Sequence, residues 1–271
     1  MALPIDLSGK IILVCGVARG GIGGATARQV ARAGGTVIAL DKDRELIDPT
    51  VADVEDLGGK ITPMVVDLMD KPACETVIEQ VFAKFGKLDG VVNVAGGTRE
   101  GEWLPLDETT TESFWQTLQL NLGYIFTLCR DAAKQWIDRD ETGAIVNVSS
   151  VSSLASAPWH GPYGAAKNGI NALTRTMANE WHEFGIRANA VLPGAVATER
   201  VLSRISPDNV IKGSETNFTM PEELANAITF LLSDLASGIS GQAIAVDRSL
   251  STKFCAGARK SRKQLAQENQ E

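Results

Sequence analysis

Tyr163 and Lys167, in the segment YGAAK, are residues whose side chains could exchange a proton with a substrate. A free tyrosine has a pKa of about 10 and is a poor base at neutral pH. A nearby ammonium group favours the phenolate and brings the pKa of the phenol towards the working range. Because four residues make about one helical turn, both side chains would lie on one face of a helix. The pair indicates acid-base chemistry, although such a spacing also arises by chance.

Ser150 lies thirteen residues before Tyr163, at the end of a predicted strand. Its hydroxyl could hydrogen-bond a substrate oxygen on which negative charge builds during hydride transfer, while Tyr163 exchanges the proton. Each residue also has a structural interpretation: Tyr163 as a packed helix residue, Lys167 as a surface charge and Ser150 as a strand-end cap. Their combination favours a site beyond the carboxyl ends of parallel strands.

The elements that must position these residues follow from the hydrophobic pattern. Short runs rich in Val and Ile predict seven strands, at 10–17, 35–41, 61–68, 88–96, 143–150, 186–194 and 241–247. Nearly continuous hydrophobicity predicts strands buried on both faces, and the connections are long enough for crossover helices. We expect an α/β fold: a single Rossmann-type, doubly wound domain over residues 1–250, with a seven-stranded parallel sheet and helices on both faces. We expect residues 251–271 to form a polar tail that is disordered or contacts a partner subunit.

A glycine-rich turn, CGVARGGIGGATA at 15–27, follows the first predicted strand and leads into a helix. Such glycines allow backbone N–H groups to approach a pyrophosphate at the helix N-terminus, although a tight turn without a ligand has a similar pattern. Asp41 ends the second strand and could accept hydrogen bonds from both ribose hydroxyls of an adenosine, or cap a helix. Its charge would repel a 2′-phosphate, which favours NAD over NADP, whereas Arg19 and Lys42 could pair with that phosphate.

Composition excludes several classes of function. The 271-residue chain has a net charge of −7, which argues against nucleic acid as a partner. No basic and apolar leader opens the sequence, and apolar runs of about 18 residues do not occur, which predicts a cytoplasmic protein without a membrane partner. The four cysteines are scattered, which predicts reduced thiols and no metal site.

Taken in order, these motifs resemble the short-chain dehydrogenase/reductase family over about residues 8–250. The matching marks are the glycine loop, Asp67 and Leu68, NVAG (93–96), Asn121, Ser150, YGAAK, PGAVAT (193–198) and ISGQAIAVD (239–247). Two departures are Cys15, in place of the family's threonine before a loop with one inserted residue, and Arg248, where a small residue is usual. Arg248 could contact a neighbouring subunit or point into solvent.

The resemblance implies roles for individual residues. Asp67 and Leu68 would flank the adenine, Lys167 would also bind the nicotinamide ribose, Val196 and Thr198 would hold the carboxamide, and Asn121 would anchor a water that passes the proton outward from Lys167. The implied cofactor-binding set is Gly16, Arg19, Gly21, Ile22, Gly23, Asp41, Asp67, Leu68, Asn93, Ala95, Gly96, Tyr163, Lys167, Pro193, Gly194, Val196 and Thr198. The implied catalytic set is Asn121, Ser150, Tyr163 and Lys167.

The predicted function is an NAD-dependent oxidoreductase that interconverts a secondary alcohol and its ketone. Trp103, Trp159 and His160 suggest a partly aromatic pocket for an alicyclic or ring-bearing substrate, and the loop at about 199–219 also faces it. The alternatives are an NADPH-dependent 3-oxoacyl-thioester reductase and a non-catalytic, dinucleotide-sensing interaction protein. The resemblance also implies a homotetramer.

Overall fold

Seven parallel strands form a single sheet in the computed structural model, which describes residues 5–99, 101–198, 201 and 218–252. They are β1 (Ile11–Cys15), β2 (Thr36–Asp41), β3 (Lys60–Val65), β4 (Gly90–Asn93), β5 (Gly143–Val148), β6 (Ile186–Pro193) and β7 (Ala243–Val246). Their order across the sheet is β3-β2-β1-β4-β5-β6-β7, and every neighbouring pair is parallel.

Helices cover both faces of the sheet. They are α1 (Ile22–Arg32), α2 (Arg44–Asp56), α3 (Lys71–Phe85), α4 (Thr111–Leu118), α5 (Tyr124–Asp138), α6 (Gly161–Glu180) and α7 (Pro221–Leu232). One hydrophobic cluster packs α3, α5 and α6 against the sheet, and a second packs α1, α2 and α7 against the other face. Because the central strands are covered on both sides, β4 and β5 are buried at every residue. The predicted fold class is confirmed.

The strand order reverses between β1 and β4. The chain moves outward from β1 through β2 to β3, and then returns to pair β4 with the other edge of β1. In open parallel sheets this reversal opens a crevice beyond the carboxyl ends of the two strands, because their crossover helices lie on opposite faces. The glycine turn follows β1, and residues 94–97 follow β4, so both segments border the crevice.

A π-helical segment, Gln119–Gly123, joins α4 to α5. Asn121 lies at its centre and donates a hydrogen bond from Nδ2 to the Thr117 carbonyl oxygen at 3.0 Å. That carbonyl lies four residues back, where an α-helical N–H would normally bond, so the side chain competes with the backbone and widens the turn. The π segment thus interrupts what would otherwise be one continuous helix from α4 through α5.

Two segments for which the sequence makes predictions lie largely outside the described residues. In the predicted polar tail these are residues 253–271, and in the predicted substrate-facing loop they are residues 199, 200 and 202–217. The extent of the domain and the role of the tail stay predictions.

Candidate active site

A cavity of about 560 Å³ lies in the crevice beyond β1 and β4. Eleven of the predicted cofactor-binding residues line it: Gly16, Arg19, Gly21, Ile22, Gly23, Asp41, Asp67, Leu68, Ala95, Gly96 and Thr198. Sequence reasoning did not include Leu120 and Tyr124, which also line it from the π segment and the start of α5. Tyr124 is the other of the chain's two tyrosines, and its hydroxyl donates to the Ala95 carbonyl oxygen at 2.7 Å, a tertiary contact that leaves no signal in the sequence.

The turn after β1 is built so that only glycine fits at two positions. Gly16 has a φ of 90°, and a Cβ there would lie 2.6 Å from the backbone nitrogen of Ala95. A Cβ on Gly23 would lie 1.8 Å from the carbonyl oxygen of Gly16. Helix α1 begins at Ile22 after Gly21, which has no side chain to cap the first turn. The first N–H groups of α1 are therefore available to an anionic ligand in the cavity.

Asp41 ends β2 beside this turn. Its carboxylate accepts hydrogen bonds from the backbone N–H groups of Val17 and Lys42, both at 2.9 Å. Burial raises the pKa of the Asp41 carboxyl above its ordinary value, and the backbone hydrogen bonds oppose that shift. The residue that caps α2 is Asp43, so the interpretation of Asp41 as a helix N-cap is wrong.

The two cations near Asp41 already have carboxylate partners. Arg19 pairs with Asp53 at 2.8 Å, and Lys42 lies 3.8 Å from Asp43. Both side chains are mostly exposed, so each pair contributes little to stability. A 2′-phosphate at this place would compete with those carboxylates for the cations.

Lys167 lies on α6 with its side chain almost fully enclosed, since only 3% of the residue is exposed. Nζ donates a hydrogen bond to the Val148 carbonyl oxygen at 2.9 Å and lies 5.4 Å from the centroid of the Tyr163 ring. Burial lowers the pKa of Lys167 to about 7. The predicted adjacency of Tyr163 and Lys167 is thus present, and the interpretation of Lys167 as a surface charge is wrong.

Ser150 follows β5 and begins a short 3₁₀ turn, Val151–Ser153. Its side chain is buried and accepts a hydrogen bond from the Ser152 N–H at 3.1 Å. Polar contacts tie this turn to α6: Ser149 Oγ donates to the Lys167 carbonyl oxygen at 2.9 Å, and Asn171 Nδ2 donates to Ser153 Oγ at 2.7 Å. The end of β5 and the helix that carries Tyr163 and Lys167 are therefore fixed relative to each other.

Asn121 is fully buried and holds the chain after β4. Its Nδ2 donates to the Gly97 carbonyl oxygen at 2.9 Å, and its Oδ1 accepts from the Gly97 N–H at 2.8 Å. With the bond to Thr117, both Nδ2 hydrogens are engaged. A water bound at this residue would have to donate to an oxygen atom, and the proton-relay role of Asn121 stays a prediction.

Several predicted cofactor-binding residues do not line the described cavity: Asn93, Tyr163, Lys167, Pro193, Gly194 and Val196. The Asn93 side chain is buried and donates to Asn147 Oδ1 at 2.8 Å, so its side chain has a partner inside the protein. Val196 is buried and forms an isolated bridge with Thr219. The cofactor roles of these residues stay predictions.

Arg248 lies just beyond the last strand, where the resemblance leads us to expect a small residue. It adopts a φ of 48° and pairs with Glu223 of α7 at 2.9 Å. The sequence suggested a contact of Arg248 with a neighbouring subunit or a solvent-facing side chain, and it did not suggest this contact within the chain.

Three aromatic rings are stacked at the start of α6. The His160 ring lies 4.1 Å from that of Trp103 and 4.3 Å from that of Tyr163, with interplanar angles of 20° and 5°. Burial lowers the pKa of His160, and the nearby Glu102 carboxylate opposes that shift. The sequence indicated Trp103 and His160 as pocket residues but gave no sign of the stack, because Trp103 comes from a distant segment.

In the part of the chain that the structure describes, no three side chains of His, Cys, Asp or Glu come together in a way that could hold a metal ion. Within the same residues, no helix combines the length and apolar character needed to cross a bilayer.

Known proteins with similar sequences are oxidoreductases. The family model described as enoyl-(acyl carrier protein) reductase matches residues 16–250. The chain is 36% identical to the 3-oxoacyl-[acyl-carrier-protein] reductase FabG of Thermotoga maritima over 90% of this chain and 98% of that protein. It is 34% identical to the 2,5-dichloro-2,5-cyclohexadiene-1,4-diol dehydrogenase of Sphingobium indicum, over 89% and 97% of the two chains.

Solved structures show the same architecture. A short-chain dehydrogenase/reductase from Burkholderia xenovorans superposes with a TM-score of 0.83 and 30% identity over 92% of this chain and 98% of that one. A 7α-hydroxysteroid dehydrogenase complexed with NADH superposes with a TM-score of 0.83 and 28% identity, over 92% of this chain and 97% of that one. A gluconate 5-dehydrogenase from Burkholderia cenocepacia complexed with NADP has the same TM-score and identity, over 92% of this chain and 98% of that one. The two structures thus hold different dinucleotides on the same fold. The chain belongs to the short-chain dehydrogenase/reductase family and is an NAD(P)-dependent oxidoreductase that acts on CH–OH groups.

Proposed function

We propose that the protein interconverts a secondary alcohol and its ketone with NAD as the cofactor and Tyr163 as the acid-base residue. The observation that carries this proposal is the buried Lys167 ammonium 5.4 Å from the centroid of the Tyr163 ring, on the helix that follows β5. An ammonium excluded from water acts strongly on a neighbouring phenol, because little solvent screens its charge. The geometry supports Tyr163 as the residue that titrates against the substrate hydroxyl.

The residues present fit a dinucleotide. The uncapped N-terminus of α1 and the close glycine turn suit a pyrophosphate, and Asp41 suits the two hydroxyls of an adenosine ribose. When bound, the nicotinamide supplies the acceptor or donor of the hydride. NAD is favoured over NADP because a 2′-phosphate would face the Asp41 carboxylate, while Arg19 and Lys42 are already paired.

In the direction of oxidation, the roles of the side chains follow from their chemistry. The Tyr163 phenolate accepts the proton of the substrate hydroxyl, and the Ser150 hydroxyl donates a hydrogen bond to the same substrate oxygen. The Lys167 charge keeps the phenolate accessible near neutral pH. In reduction the steps reverse, and the Tyr163 hydroxyl returns the proton to the oxygen that receives the charge.

The substrate is proposed to bear a ring. Trp103 and Trp159 are both largely exposed, Trp103 stacks on the ring of His160 beside Tyr163, and rings of a substrate pack well against such aromatic faces. The similarity to a cyclohexadiene-diol dehydrogenase supports an alicyclic alcohol. A 3-oxoacyl-thioester reductase that uses NADPH is the second candidate, and the 36% identity to the Thermotoga enzyme favours it. The family assignment favours an enzyme over the non-catalytic, dinucleotide-sensing alternative.

The test is the turnover of Tyr163→Phe, measured as the reduction of NAD with a panel of cyclic secondary alcohols. We expect turnover to fall by about 10² to 10⁴, because proton transfer by a positioned side chain contributes that factor. NAD affinity, measured by fluorescence titration, should stay within about two-fold, since the ring remains in place. Parallel assays with NADP, and with a 3-oxoacyl thioester and NADPH, decide between the two candidates. Unchanged turnover of Tyr163→Phe would refute the role of Tyr163.

A further inference from the structure

His160 and Tyr163 meet because of their positions at the start of α6. His160 is the N-cap residue and Tyr163 is the third residue of the helix. Side chains at these two positions are neighbours, which is why an N-cap serine or threonine commonly bonds the backbone there. His160 makes no such capping bond, and its ring lies nearly parallel to that of Tyr163, 5° apart and at 4.3 Å.

The other face of the His160 ring is covered by Trp103, so the imidazole is enclosed between two rings and only 9% of the residue is exposed. Its Nε2 is buried, and no residue that the structure describes bonds it. A buried polar nitrogen without a partner is unfavourable. Hydrogen bonding through Nε2 therefore does not hold the ring in place, and the contacts that do are made by its two faces.

The residue before His160 indicates that this arrangement is imposed. Trp159 has a φ of 64°, a left-handed conformation that is rare for a bulky residue. Such conformations are strained and persist where surrounding contacts determine them. The turn is closed by a hydrogen bond from the His160 N–H to the Ala157 carbonyl oxygen at 3.1 Å. The strained turn directs the chain so that His160 enters the stack.

Trp103 is itself held from the opposite side of the site. The preceding residue, Glu102, accepts a hydrogen bond from the Thr117 hydroxyl of α4 at 2.9 Å and pairs with Arg99. The Thr117 carbonyl in turn accepts the bond from Asn121. The stack is thus fixed at one end by α4 and at the other by α6.

We propose that His160 is a positioning residue for Tyr163: its ring, backed by Trp103, fixes the plane of the phenol and so the direction in which the phenol oxygen faces the substrate. The terminal torsion of a tyrosine has a broad minimum, so the ring plane is not set by rotamer preference alone. Proton transfer requires the phenol oxygen within hydrogen-bond reach of the substrate, and small misplacements are costly in rate. This inference rests on the proposed role of Tyr163.

The experiment compares His160→Ala, which removes the stacked ring, with His160→Phe, which keeps a flat ring and lacks the nitrogens. We expect His160→Ala to lower kcat by about 10- to 100-fold, because the Tyr163 ring loses the stacked ring that fixes its plane. His160→Phe should restore kcat to within about three-fold of the wild type, since the face contact is preserved. NAD affinity should stay within about two-fold in both variants, because the change acts on proton transfer.

The matched control is His182→Ala, which removes the other histidine of the chain beyond the far end of α6 and should leave kcat unchanged. Trp103→Ala, a change at a residue that is 59% exposed, removes the backing ring and should also lower kcat. Thermal unfolding of each variant is measured to check that the fold is retained. Wild-type kcat in His160→Ala and Trp103→Ala overturns the inference, as does a His160→Phe enzyme as slow as His160→Ala.

Failure of this inference can be told apart from failure of the proposed function by including Tyr163→Phe. If Tyr163→Phe turns over like the wild type, the proposed acid-base role is wrong. If Tyr163→Phe is slow and His160→Ala is not, only the positioning role is wrong. In the Tyr163→Phe background, His160→Ala should add no further loss, because a positioning residue acts through the group that it positions.

Discussion

Lys167 combines a charge with an environment that opposes it. Its ammonium is enclosed by protein and donates a hydrogen bond to the Val148 carbonyl oxygen. Loss of hydration lowers the pKa of Lys167 to about 7, so charged and neutral forms coexist near neutral pH in the cofactor-free protein. The residue therefore links the stability of the fold to pH.

The direction in which Lys167 makes stability depend on pH follows from its pKa values in the folded and unfolded chain. In the unfolded chain Lys167 stays protonated up to a pKa of about 10.4, whereas in the folded chain it loses its proton near pH 7. Between these values the unfolded chain binds more protons, so the contribution of Lys167 to the free energy of unfolding rises with pH. The cost of the buried charge is fully present below about pH 7 and is relieved as the pH increases.

We expect the difference in free energy of unfolding, wild type minus Lys167→Met, to increase from pH 7 to pH 9 by up to about 1.4 kcal/mol per pH unit. Urea unfolding at pH 7, 8 and 9 without cofactor measures it. Lys134→Met, at an exposed position on α5, is the control and should show no such slope. A difference that is flat or falls with pH contradicts the buried charge.

The residues of the site could be predicted from the sequence to different extents. Tyr163 and Lys167 are adjacent because a four-residue spacing on a helix fixes the geometry locally. The cofactor role that the resemblance implies for Asn93 stays a prediction, and its side chain donates to Asn147 of the neighbouring strand. That contact depends on strand register, and the stack of Trp103 on His160 depends on tertiary packing, so neither follows from local pattern.

At the scale of elements, the glycine turn between β1 and α1 is the connection most constrained by packing. A Cβ at Gly23 would lie 1.8 Å from the Gly16 carbonyl oxygen, and backbone cannot move aside as a flexible side chain can. The turn and the start of α1 would have to separate, which changes the positions of the N–H groups that face the cavity.

We therefore expect Gly23→Ala to weaken NAD binding by at least about ten-fold and to lower the free energy of unfolding by about 1–3 kcal/mol, as overpacking typically does. Fluorescence titration with NAD and urea unfolding measure the two effects. The matched control is Gly238→Ala, where an added Cβ meets no atom within 4 Å. Wild-type affinity in Gly23→Ala would show that the turn is not packed as described.

The elements were predictable in number and order, and less so at their ends. The run 88–96 was predicted as one strand, whereas β4 pairs only over Gly90–Asn93. Residues 94–96 remain apolar or small and leave the sheet to line the cavity, a change that hydrophobicity does not register. The π segment was not predictable either, since the Asn121 side chain that bonds the Thr117 carbonyl oxygen is also held by Gly97, twenty-four residues earlier in the chain.

At the scale of the whole molecule, two large apolar side chains on α4 and α5 face outward. Trp115 is 62% exposed and Phe126 is 46% exposed in the single chain. Fully buried interface cores favour aromatic residues, since these remove much apolar surface from water. We propose that these helices contribute to a homotetramer, as the resemblance implies, and the cytoplasmic location stays a prediction of the sequence.

We expect the wild type to sediment as a tetramer and the double variant Trp115→Glu and Phe126→Glu to sediment as smaller species, because buried unpaired carboxylates oppose association. Analytical ultracentrifugation at several protein concentrations measures the assembly. Phe184→Glu serves as the control and should leave the tetramer intact. Phe184 is an aromatic residue after α6 that is 41% exposed. A monomeric wild type would contradict the proposal.

The amide pair Asn93 and Asn147 has a consequence for how the sheet assembles. The two residues are register partners on β4 and β5, and Asn147 also donates from Nδ2 to Thr174 Oγ1 of α6 at 3.0 Å. Sliding β5 past β4 by one residue would turn the side chains of β5 to the opposite face. The amides of Asn93 and Asn147 would then be separated and left among apolar groups without partners. Misaligned folding intermediates are thereby penalised, and the helix that bears the tyrosine is anchored to the correctly aligned strands.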